Sequence, residues 1–87
     1  MKENNKIGSI LLSARKKLQA AGKENAALDA ELLLMEVMGI SRLVVFTEPE
    51  RLLSEAQVSA FWELVERRAA GEPLQYLLGH CEFMGVS

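Results

Sequence analysis

"SEAQVSAFWELVERRAAG", residues 54–71, holds a helix start, a helix face and a helix stop in one run. Ser54, followed three residues later by Gln57, fits a capping box in which the glutamine side chain reaches back to the Ser54 amide. Val58, Phe61, Trp62, Val65 and Ala69 then fall on one side at helical spacing, the face such a helix would bury. Gly71 accepts the left-handed conformation that closes a helix, so the run predicts one helix ending just before it.

The same punctuation extends in both directions. Pro73 suits a first helical turn and predicts a short fifth helix through Leu78, ended by Gly79. The tail "HCEFMGVS" alternates loosely and could begin a strand, though it is too short to stand alone. Upstream, Ser41 is placed to cap a short helix through "RLVVF", and the Glu48-Pro49 pair ends it, because helical geometry is disfavoured before proline. Before that, Asn25 is the expected cap of a helix running to Gly39. Its polar positions are almost only Asp29, Glu31 and Glu36, which marks it as the central, most buried helix. Ile7, Ile10, Leu11, Ala14, Leu18 and Ala21 form the stripe of a first helix that Gly22 stops. With connections this short, neighbouring helices are expected to pack antiparallel in an all-α, compact bundle of about five helices.

Composition fits that reading. An 87-residue chain is one small domain, and 49% apolar with 25% charged residues is an ordinary globular balance. The longest apolar runs, Leu32–Met35 and Leu43–Phe46, are far too short to span a bilayer. At the start, Gly8 and Ser9 interrupt the apolar block and basic residues follow, unlike a secretion signal. Cys81 is the only cysteine and cannot form an internal disulfide, which points to a reducing cytoplasm. The net charge of −2 is uneven: residues 1–25 carry six Lys/Arg against two Glu, a balance of +4, leaving −6 for the rest. Arg15, Lys16 and Lys17 read first as a solvated helix face, since no stacking aromatics accompany them as a nucleic-acid surface would require.

The inventory for chemistry is thin. His80 and Cys81 are adjacent, but no second His, Cys or suitably placed acid completes a tetrahedral metal set. Neighbouring side chains on an extended segment point to opposite faces, so His80 is poorly placed to activate Cys81. Glu82 is a lone acid, and no phosphate loop or glycine-rich strand-to-helix turn occurs. No catalytic, cofactor-binding or metal-ligating residue is assigned.

The segment "RRAAGEPLQYLLGHCEFMG", Arg67 to Gly85, has a more specific meaning. Arg68, Gly71, Glu72, Pro73, Gln75, Tyr76, Gly79, Glu82, Phe83 and Gly85 stand at the spacing found between the two domains of the peptide chain release factor glutamine methyltransferases, the HemK/PrmC family. "LDAELLL", Leu28 to Leu34, and "GISR", Gly39 to Arg42, resemble that family's Asp-Ala-Glu-x-Leu-Leu helix and Gly-x-Ser-Arg turn. The resemblance covers the chain from about Ile7. It implies an N-terminal helical bundle joined by a β-hairpin to a Rossmann-like domain. That second domain binds S-adenosylmethionine and methylates the glutamine amide of the Gly-Gly-Gln motif in class-I release factors, while the bundle helps to hold the factor.

The family's cofactor-binding glycine motif and its Asn-Pro-Pro-Tyr tetrapeptide are absent from these residues, so no catalytic or cofactor role is carried over. The chain is expected to be part of a longer enzyme and inactive by itself. Residues 1–79 would form a monomeric recognition domain, and residues 80–87 the start of the linker hairpin. Arg68, Glu72, Pro73, Gln75, Tyr76, Gly79, Glu82, Phe83 and Gly85 are expected to build the joint to the protein's own methyltransferase domain. Arg15, Lys16 and Arg67 are candidates for contact with the release factor. No membrane or direct nucleic-acid partner is expected. The competing readings are a free-standing helical interaction module and, with less support given the acidic body, a nucleic-acid-binding helical domain.

Overall fold

A computed structural model of the protein describes residues 5–78. In chain order these form α1 (Ile7–Ala20), α2 (Ala26–Met38), α3 (Arg42–Thr47) and α4 (Glu55–Ala69). One further short helix follows, α5 (74–78). Apart from an isolated antiparallel bridge between Lys6 and Leu52, there is no β-structure among the described residues. The expected tail strand and Gly79 lie outside them.

The helix faces meet in one core. Ile7, Ile10, Ala14 and Leu18 come from α1, Ala26, Ala30, Leu33 and Leu34 from α2, and Phe61 and Val65 from α4, with Val45, Leu53 and Leu77 closing the sides. Phe61 is completely buried, while Trp62 is half-buried and sets its ring edge against Phe61 at 5.6 Å between centroids. As its composition indicated, α2 is central and touches α1, α3 and α4. The stripe of α1 is one residue shorter than expected: Ala21 is exposed, because the helix has already closed there.

Glycine closes two helices in the same way. At the end of α1 the Lys23 amide donates to the Leu18 carbonyl and Gly22 to Gln19. At the end of α4 Glu72 donates to Arg67 and Gly71 to Arg68. Both are Schellman closures, and the glycines take φ of 85° and 112°. At the helix starts, Ser41 caps α3 through the Val44 amide, and both bonds of the Ser54–Gln57 capping box are made. Asn25 occupies the cap position of α2, but its side chain accepts no bond there; only its carbonyl is used, by Asp29.

The start of α1 is capped in a way no local pattern announces. Lys6 provides no side-chain cap. Instead the Ile7 and Gly8 amides donate to the carbonyls of Arg51 and Pro49, and Leu53 donates back to Asn5. The α3–α4 loop therefore satisfies two of the orphan donors of the first helical turn.

Candidate functional site

The candidate joint is built at the corner after α4. Because the Schellman closure turns the chain back over the helix it has just left, Glu72 comes to lie beside Arg67 and Arg68. The Arg67 guanidinium donates from Nε to both Glu72 carboxylate oxygens, at 3.1 and 3.2 Å. Arg67 is held above the ordinary arginine pKa, first by this hydrogen bond and then by the charge of Glu72. Arg68 faces inward. Its Nη1 donates to the Glu72 carbonyl at 2.9 Å, and its Nε donates at 3.0 Å to Oδ2 of Asp29, which lies 39 residues earlier on α2.

Asp29 is the one buried charged residue among those described, 3% exposed. A carboxylate so far from water is tolerable only when paired and hydrogen-bonded, and Arg68 supplies that partner. The Gly71-Glu72-Pro73 corner is thus fastened to the central helix by side chain and backbone together. Beyond it α5 drops Leu77 into the core, while Pro73, Gln75 and Tyr76 are exposed.

The expected site residues are distributed as follows. Arg68 and Glu72 are brought together in the corner. Gln75 and Tyr76 share α5, with Tyr76 60% exposed, so Leu77 rather than Tyr76 anchors the segment to the core. Gly79, Glu82, Phe83 and Gly85 lie outside the described residues, as do His80 and Cys81. The partner-binding candidates do not converge. Arg15 lines a cleft of about 320 Å³ between α1 and α2, with Gly8, Leu11, Leu12, Ala27 and Glu31. Arg67 borders a larger cleft, about 500 Å³, between α2 and α4. Lys16 is exposed on α1.

Asp29 joins the corner from α2 and is not among the expected joint residues. Its signal was visible: it is one of only three acids on a helix otherwise apolar nearly all round. No group of three or more potential metal ligands occurs among the described residues. They also offer no strand followed by a glycine turn, the element that would hold a dinucleotide-like cofactor. The described residues therefore do not fit S-adenosylmethionine. The arrangement fixes a corner and presents side chains.

These features define a small all-α domain whose chain exit after α4 is fastened to the central helix. The chain belongs to the family described as the PrmC N-terminal domain, whose model matches residues 9–79. It is similar to proteins named release factor glutamine methyltransferase. That of Nitratidesulfovibrio vulgaris is 41% identical over 79 residues, covering 91% of this chain and 27% of the relative. That of Agrobacterium fabrum is 39% identical over 80 residues, 92% of this chain and 28% of the relative. That of Koribacter versatilis is 45% identical over 73 residues, 84% of this chain and 26% of the relative. The chain thus spans little more than a quarter of the length of these relatives. No helix among the described residues is long and apolar enough to cross a membrane.

Proposed function

We propose that this chain is the substrate-recognition domain of an S-adenosylmethionine-dependent methyltransferase, which modifies the Gly-Gly-Gln glutamine of class-I release factors in the cytoplasm. Residues 1–79 are the recognition bundle and residues 80–87 lead into the catalytic domain. The observation that carries the reading is the fastened corner in a chain of this family. A buried ion pair and a closed turn fix where the chain passes from α4 to α5, and Gln75 and Tyr76 stand exposed beyond it.

A domain held rigidly against a catalytic partner can bind parts of the substrate far from the reacting amide. Such contacts help catalysis when they orient that amide for transfer, so that binding energy appears as rate. The test is the affinity for intact release factor of the full-length enzyme and of an enzyme lacking residues 1–79, measured by fluorescence anisotropy. A loss of about tenfold or more on truncation supports recognition. Equal affinities would contradict it.

A further inference from the structure

Three surfaces remain after the corner is accounted for: the exposed side of α5, the cleft between α2 and α4, and the face shared by α1, α2 and α3. The last carries the most. The six-residue helix α3 buries only Val45, while Leu43 is 69% and Phe46 58% exposed. On α1, Leu12 is 47% exposed at the edge of the α1–α2 cleft. The two areas are linked by contacts. The Arg42 guanidinium sits 5.6 Å over the Phe46 ring and reaches Oε1 of Glu31 at 3.2 Å, and Glu31 lines the cleft beside Leu12 and Arg15.

Charge selects what could cover this face. Helix α1 contains no acidic residue, and Arg15 and Lys16 form no ion pair with a carboxylate among the described residues. Arg42 already neutralises Glu31. The face therefore presents large apolar side chains with unneutralised positive charge, although the chain as a whole is at −2. The α2–α4 cleft differs: Glu36 and Glu63 are among its lining residues, and its cation, Arg67, is already paired with Glu72. Glu31 Oε1 is also buried and accepts no well-aligned hydrogen bond.

We propose that the α1–α2–α3 face is the docking surface for an acidic segment of the substrate protein. An apolar side chain of that segment would lie against Leu12 and Phe46, and its carboxylates would lie toward Arg15 and Lys16. This rests on the release-factor reading above. Apolar contact supplies affinity, and opposite charge supplies encounter rate and partner choice.

The experiment compares Arg15→Glu, Phe46→Ser and, as a control on the opposite cleft, Glu63→Lys in the full-length enzyme. The readout is kcat/KM on intact release factor and on a short Gly-Gly-Gln peptide, with thermal unfolding to verify folding. All three side chains are exposed. The expected result is a loss of about tenfold or more on intact factor for Arg15→Glu and Phe46→Ser, seen mainly in KM, with peptide rates within about twofold. Arg15→Lys should restore most of the loss, and Glu63→Lys should cost nothing on either substrate. Added salt should weaken the wild type more than Arg15→Glu. Unchanged rates on intact factor, while truncation of residues 1–79 still impairs it, would overturn this face and leave the recognition reading standing. Equal losses on both substrates, or an equal loss in Glu63→Lys, would also overturn it. Equal losses on the two substrates from the truncation itself would bring down the recognition reading.

Discussion

Replacing Arg68 by alanine and replacing Asp29 by alanine remove the same ion pair but should not cost the same. The Asp29 side chain is 4% exposed and that of Arg68 23%. Without Arg68, a carboxylate is left deep in the bundle with no partner and the Glu72 carbonyl loses its donor, a situation that costs about 3–5 kcal/mol. Without Asp29, the guanidinium keeps its bond to Glu72 and can lean toward water, so the loss is that of one charged hydrogen bond, about 1.5–3 kcal/mol. A chain of this size has a total stability of roughly 4–13 kcal/mol, so Arg68→Ala removes a large share of it. The double variant should cost less than the sum, because once one partner is gone the second deletion has no pair left to break. Urea unfolding of the domain, followed by Trp62 fluorescence, measures all three. A cost below about 1 kcal/mol for Arg68→Ala, or a larger cost for Asp29→Ala, would refute the argument.

Phe61→Ala empties the centre of the core and should cost about 3–5 kcal/mol in the same assay; a loss under about 0.5 kcal/mol would show that Phe61 does not pack as described. Gly8→Ala should raise stability by about 0.5–1 kcal/mol. Glycine is a poor helix former, and a Cβ there would meet Pro49 at an ordinary 3.5 Å. Gly71→Ala should destabilise by about 1–2 kcal/mol through the backbone alone. Its φ is 112°, and nothing lies within 4 Å of an added Cβ, so a neutral result would mean that the closure of α4 relaxes freely.

The parts of this fold that could be read from the chain are those set by neighbouring residues. The capping box at Ser54, the stop at Gly71 and the stripe through Phe61 depend on residues a few positions apart, and all three appear as expected. The unread parts depend on distant residues. Lys6 carries no capping side chain because carbonyls from the loop at 49–51 do that work. Asn25 had the right chemistry for a cap and does not use it. At the corner Arg68 and Glu72 are near neighbours in sequence, but Asp29 enters only when α2 and α4 cross. The outward turn of Leu43 and Phe46 was hidden as well, since a six-residue helix is too short for periodicity to assign its buried side.

In the function proposed above, the bundle recognises the substrate protein rather than propping up a catalytic domain. Its most direct test is kcat/KM for intact release factor and for a short Gly-Gly-Gln peptide, measured with and without residues 1–79 in enzyme verified to be folded. Deletion should impair methylation of the intact factor far more than that of the peptide, which never had remote contacts to lose, while cofactor affinity is preserved. Equal losses on the two substrates would contradict it.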